Sequence, residues 1–302
     1  MEHVKITEHL KHKTNASYED VVYLEHKNGE LFARIWRSLR GGPLQGIGII
    51  DVHGGAWSSL DRTSGDFYNQ FLCSMGATVI SLDFRCGPKY HHPTAVRDVC
   101  AGVRWVRMHA SSLKIEETQI FSIGSSSGGH LALLAALNPA LSVDPTIKLN
   151  GFDSIEDIDK VDASVSGVGV FWAPVDPLKR FLYAKSLRTE HGNRLTRNTE
   201  AYFVSKEVMK EASIPRLISK GAYTNLPPIF FAEAEHDRNV PSSIVDDLCD
   251  AFANANGLVS RKLYGGAQHG FGQQEGIQAR EFLLDLAMWM SKTSNSTSHL
   301  DD

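Results

Sequence analysis

Disulfide chemistry has little to work with in this chain. Its four cysteines, Cys73, Cys86, Cys100 and Cys249, are scattered with no C-x-x-C pair, so neither a disulfide framework nor a zinc site is expected. No apolar stretch approaches the roughly 20 residues that cross a bilayer. The start, Met1-Glu2-His3-Val4-Lys5, lacks the apolar core of a secretory signal, so the sequon-like Asn15-Ala16-Ser17 and Asn295-Ser296-Thr297 read as chance matches. Excess charge is missing too. Against 31 Lys and Arg stand 35 Asp and Glu, and a net charge of −4 gives no electrostatic reason to expect nucleic acid or a membrane surface as partner. No internal repeat is visible. The expectation is a soluble, cytoplasmic globular enzyme. Its 302 residues suffice for one large domain that buries about 75% of its unfolded surface.

Most of the chain runs strand, then helix, in repetition. Val21–Leu24 and Leu31–Trp36 flank Lys27-Asn28-Gly29-Glu30, and Asn-Gly between apolar runs predicts a hairpin. A fully buried strand is predicted over 47–52 and further strands over 77–83, 163–171, 228–232 and 258–264, with another ending near Ser125. Helices are predicted over 66–75, from Pro93 with Val96, Val99, Val103 and Val106 on one face, through Leu131–Leu137, from Pro241 along Ile244, Val245, Leu248 and Phe252, and over 279–290. Residues 1–20 read as a polar short helix or loose arm, 139–162 as a loop and 291–302 as a disordered tail. Residues 174–221 are charged, aromatic-bearing and without the strand-helix rhythm, and read as an inserted cap. The fold class expected over 1–302 is a single α/β domain, a mostly parallel central sheet with helices on both faces.

Chemistry concentrates at Phe121–His130. Gly124-Ser125-Ser126-Ser127-Gly128 is a Gly-x-Ser-x-Gly segment between a strand end and a Leu/Ala-rich helix, the context a nucleophile elbow needs. The two glycines fit a tight turn in which a Cβ would collide. Ser126 is then held in a strained backbone conformation, its hydroxyl at the positive end of the helix dipole. A nucleophilic serine also needs a base, an acid to orient the base, and donors for the oxyanion. On a parallel sheet these gather at the carboxyl ends of strands. In His53-Gly54-Gly55-Ala56-Trp57, small residues let backbone N–H groups approach a developing oxyanion. Gln268-His269-Gly270-Phe271 offers a base, while Asp237 and Asp176 each follow a predicted strand. His91, His92 and His109 have no partners at metal-ligand spacing.

Together, His53–Trp57 and Gly124–Gly128 resemble the oxyanion loop and elbow of α/β-hydrolases, specifically hormone-sensitive-lipase-like carboxylesterases and the related kynurenine-formamidase-like hydrolases. The resemblance runs from about Val21 to Met290 and is strongest at 51–57, 83–109, 121–134, 232–241 and 269–271. It implies the α/β-hydrolase fold and a catalytic triad of Ser126, Asp237 and His269, with Asp176 as the rival acid because some relatives place the acid one strand earlier. The oxyanion donors would be the N–H groups of Gly55, Ala56 and Ser127. His53 and His130 would be structural, and Asp83, Arg85 and Asp98 would pair beneath the active-site loops. Trp57, Phe67, Trp172, Phe181 and Tyr202 are aromatic candidates for the pocket and cap. The implied activity is cleavage of small carboxylic esters through an acyl-enzyme. The alternative is an arylformamidase-type amidase using the same triad, and a non-catalytic ligand-binding receptor is the remoter one. No cofactor or metal is implied, the partner is a small ester or amide, and a homodimer is compatible with all of this. Ser125 stands where the lipase-like pattern usually has Asp, Ser127 where it has Ala, and Lys89 where it often has Glu, which leaves subfamily and substrate open.

Overall fold

The computed structural model describes residues 16–223 and 225–297. Two long antiparallel strands come first, β1 (Ala16–His26) and β2 (Gly29–Ser38), closed by the His26–Gly29 pair at the predicted turn. The remaining strands are β3 (Gly48–Val52), β4 (Thr78–Leu82), β5 (Ile120–Ser125), β6 (Lys148–Leu149), β7 (Gly167–Phe171), β8 (Ile229–Ala234) and β9 (Val259–Tyr264). They form one nine-stranded sheet in the order β6-β1-β2-β4-β3-β5-β7-β8-β9, parallel from β4 through β9. Every residue of β3, β4, β5, β7 and β8 is buried, as a sheet covered on both faces requires.

Helices α1 (Asp66–Ser74) and α11 (Ile277–Thr297) cover one face through Phe71, Leu72, Phe282 and Leu286. Helices α2 (Thr94–Met108), α4 (Ser127–Leu137) and α10 (Ser242–Asn254) cover the other through Val99, Val103, Leu131, Ile244 and Leu248, with the short α3 (Ala110–Leu113) beside α2. No described helix is long and apolar enough to cross a membrane.

Three expectations about local structure change. The presumed loop at 139–162 contains β6 and a helix, α5 (Ile155–Lys160). Strand β6 joins the sheet edge through only Leu24–Leu149 and Glu25–Lys148, too short for a periodic signal. Helix α5 starts where Ser154 Oγ accepts the Asp157 N–H at 3.2 Å. Helix α11 continues past Met290 to Thr297, into the expected tail, and Gln119 Nε2–H donates to the Ser294 carbonyl at 3.4 Å. Within the expected arm, residues 16–20 belong to β1, whereas 1–15 and 298–302 lie outside the described residues. Between β7 and β8 run four helices, α6 (Pro177–Ser186), α7 (Glu190–Phe203), α8 (Lys206–Glu211) and α9 (Ile214–Ser219). Asp176, Thr189 and Ser205 cap the first three, accepting N–H groups at 2.8, 3.1 and 3.3 Å.

Candidate active site

Strand β5 enters α4 through Ser126, whose φ of 51° and ψ of −124° put a non-glycine residue in strained backbone space. The Ser126 N–H donates to the Phe171 carbonyl at 2.8 Å, which fixes the turn against β7. A Cβ on Gly128 would lie 1.9 Å from the Val52 carbonyl oxygen, and one on Gly124 would lie 2.5 Å from the Gly128 backbone. Both glycines are there because β3, β5 and α4 meet with no room between them.

Ser126 Oγ lies 3.0 Å from His269 Nε2, and His269 Nδ1 lies 2.8 Å from Asp237 Oδ2. A carboxylate only accepts, so the imidazole proton sits on Nδ1 and the Nε2 lone pair faces the serine hydroxyl. Asp237 Oδ1 in turn accepts the N–H groups of Asn239 at 2.7 Å and Val240 at 2.9 Å, and its side chain is 4% exposed. These two backbone donors were not anticipated from sequence. Asp176 is engaged elsewhere: one oxygen caps α6 and the other accepts the Ser213 hydroxyl at 2.7 Å. Glu233 is buried against Arg261, while the Glu235 carboxylate accepts the Gly266 N–H at 2.7 Å.

The loop after β3 turns sharply, with positive φ at Gly55 (104°), Ala56 (51°) and Trp57 (60°). Among the described residues, the N–H groups of Gly55, Ala56 and Ser127 meet no acceptor. Trp57 N–H donates to Ser127 Oγ at 3.1 Å, so the hydroxyl that replaces the usual alanine ties this loop to the elbow helix. His53 donates from Nδ1 to the Gly54 carbonyl at 2.8 Å and stacks on Phe84 at 4.1 Å. Its burial lowers the imidazole pKa and keeps the ring neutral. The Trp57 indole N–H faces His130 Nδ1 at 3.4 Å, and His130 Nε2–H donates to the Ala212 carbonyl at 2.8 Å. Burial holds His130 down at about 4. Both histidines thus have the neutral, structural surroundings expected of them.

Beneath the elbow the polar scaffold differs in detail from expectation. Arg85 pairs with Asp98 at 2.6 Å and with Asp144 at 2.8 Å. Asp83 instead receives Arg62, whose N–H and Nη1 approach it at 2.9 and 2.8 Å from the loop before α1. Ser125 is fully buried. The nearby buried carboxylate comes from β3: Asp51 accepts from Tyr68 at 2.9 Å and Asn69 at 2.6 Å, and burial raises it to about 7. Of the aromatic candidates, Tyr202 stacks parallel to Trp57, and Phe181 joins the same core. Trp172 packs with Phe271 and Phe282 on the opposite face, and Phe67 is half-buried.

The BD-FAE family pattern matches residues 45–252. The chain belongs to the BD-FAE family. Its fold is that of the α/β-hydrolases. This BD-FAE protein is 36% identical to an arylesterase of Saccharolobus solfataricus over 102 residues, 33% of the chain and 32% of that protein. It is 25% identical to esterase LipC of Mycobacterium tuberculosis over 259 residues, 82% of the chain and 59% of that protein. The matched stretches therefore span less than two thirds of either relative. An esterase of Pyrobaculum calidifontis superposes with a TM-score of 0.71 at 21% identity, covering 96% of this chain and 89% of its own. A carboxyl esterase of the fungus Tuber melanosporum gives 0.73 at 16% identity, with coverages of 93% and 88%.

Proposed function

We propose that this protein is a serine hydrolase that cleaves small carboxylic esters. The observation that carries the reading is the continuous chain Asp237–His269–Ser126, with contacts of 2.8 and 3.0 Å, beside three backbone N–H groups that lack acceptors. In this reading His269 Nε2 takes the Ser126 proton as Oγ attacks the acyl carbon. The oxyanion is received by the N–H groups of Gly55, Ala56 and Ser127, and Asp237 stabilises the imidazolium. His269 then gives its proton to the leaving alkoxide, and an acyl-enzyme remains. Water, deprotonated by His269, attacks the acyl carbon, and collapse of the second tetrahedral intermediate releases the acid and restores Ser126. Helices α6–α9 serve as the cap over this site.

Amides form the second substrate class to test. The same proton path can protonate a leaving amine, and the chain is 34% identical to bovine arylacetamide deacetylase over 110 residues, 34% of the chain and 26% of that protein. The wild-type protein is expected to label with a fluorophosphonate probe and to hydrolyse p-nitrophenyl acetate. Ser126→Ala should do neither while keeping its circular dichroism. Full turnover by that variant would overturn the reading. N-formylkynurenine assayed in parallel separates ester from formamide preference.

A further inference from the structure

Four arginines are buried among the described residues, Arg34, Arg85, Arg104 and Arg180. Arg34 meets Asp20 at 2.9 Å and Asp66 at 2.7 Å, and Arg85 has Asp98 and Asp144. Arg104 donates to the carbonyls of Val161, Leu141 and Pro139, each at 3.0 Å, with Asp159 at 3.9 Å. Arg180 differs. It is 3% exposed, yet no carboxylate among the described residues reaches ion-pair distance. Its Nη1 donates to the Leu195 carbonyl at 2.7 Å and to Thr199 Oγ1. Its buried Nε has no acceptor, and its Nη2 makes no hydrogen bond to any described residue.

A buried cation without a counter-charge is strongly destabilising, and a fold that paired its other buried arginines could pair this one. The place is informative. Arg180 stands on the first turn of α6, and its guanidinium lies 5.6 Å over the Trp57 ring, the residue directly after the candidate oxyanion donors. Burial lowers its pKa to about 10, and the charges of Asp237 and Arg194 act on it in opposite senses. The cation therefore lies against the loop that carries the candidate oxyanion donors. A guanidinium with an unused Nε/Nη2 edge is shaped to accept a carboxylate through two parallel hydrogen bonds.

We propose that Arg180 is a specificity residue and that the preferred substrate is an ester bearing a carboxylate, which supplies the counter-ion the fold omits. This rests on the hydrolase reading above. Two matched pairs test it at fixed ionic strength: mono-p-nitrophenyl glutarate against p-nitrophenyl valerate, and 3-acetoxybenzoate against its methyl ester. The first places the carboxylate on the acyl side and the second on the leaving group. In at least one pair the wild-type protein should favour the charged member in kcat/KM. Arg180→Gln should lower that charged-to-neutral ratio by about 10- to 100-fold, mainly through KM, as expected for losing a hydrogen bond to a charged group. Arg180→Lys, which keeps the charge without the fork, should fall between. Equal preference within both pairs, or equal loss on both members in Arg180→Gln, would reduce Arg180 to a clamp between α6 and α7 and overturn the proposal. Should that variant fail to fold, competition on the wild-type protein decides: glutarate must inhibit valerate-ester hydrolysis more strongly than 1-pentanol, and parity sinks the idea. Absence of turnover on every ester together with no fluorophosphonate labelling would instead refute the hydrolase reading.

Discussion

Asp237 and Asp176 each follow a strand of the sheet and precede a helix, but their oxygens are engaged differently. Asp237 faces His269 and is held by two backbone N–H groups, whereas Asp176 caps α6 and accepts from Ser213. Asp237→Asn should leave the fold intact and lower kcat for p-nitrophenyl acetate by about 10⁴-fold, because an amide no longer fixes the imidazole tautomer. Asp176→Ala should retain turnover and instead lose about 1 kcal/mol of stability with its cap, read as a lower Tm. The reverse pattern would move the acid to Asp176. Ser127 makes a further prediction. Without its hydroxyl the Trp57 N–H loses its acceptor, so Ser127→Ala should cost about 1–3 kcal/mol of stability and reduce kcat more than it raises KM as the loop bearing the proposed oxyanion donors loosens. Ser126 and His269 could be picked out from sequence because glycine spacing and position after a strand are local properties. The choice between two aspartates depended on which one reaches an imidazole 32 residues away from Asp237 in the chain.

Elements show the same division. The hairpin and the buried strands announce themselves through a turn dipeptide and through apolar runs, and they fall where expected. Helices α6–α9 had no such rhythm because their buried faces are short and interrupted, and the starts of α6, α7 and α8 are set by single capping side chains. They are joined to the hydrolase core at definite points. His130 of α4 links the Trp57 indole to the Ala212 carbonyl, Tyr202 stacks on Trp57, and Ile214 N–H donates to the Val175 carbonyl at 3.0 Å. His130→Ala would strand a buried N–H and a buried carbonyl. It is expected to cost about 1–3 kcal/mol for each polar group left unpaired and to speed limited proteolysis within 177–219 relative to the rest of the chain. Unchanged cleavage there would show that the remaining contacts alone hold these helices.

Across the molecule, buried titratable groups couple stability to pH in opposite senses. Burial lowers His53, lowers His92 to about 3 and lowers His130 to about 4. In the unfolded chain each returns to about 6.5. Below that pH the unfolded state binds protons that the folded state refuses, so their contribution is full above 6.5 and is lost as pH falls toward 4. Asp51, raised to about 7, acts the other way: its folded form holds a proton the unfolded carboxyl releases, which favours folding as pH falls below 7. The total profile sums these, so one group is isolated by substitution. His130→Gln should be less stable than wild type at pH 8. The gap should narrow by up to about 1.4 kcal/mol per pH unit between 6.5 and 4, because only the wild type must keep that ring uncharged. Denaturant titrations at a series of pH values measure it, and a constant gap would contradict it.

Fold class, the turn at Ser126, the sharp loop at 53–57 and the position of the late histidine were legible in the residues because steric limits and periodicity act over a few neighbours. A Cβ at Gly128 collides whatever lies far off in the chain, and an apolar run between turns is a buried strand in almost any α/β protein. Contacts between loops were not legible. Ser127 receives the N–H of a residue 70 positions away, Asp83 takes Arg62 instead of Arg85, and Arg180 is enclosed without a carboxylate partner among the described residues. Hydrogen bonds and ion pairs act within about 3–4 Å, and only the packed sheet and its crossing helices bring such distant groups that close.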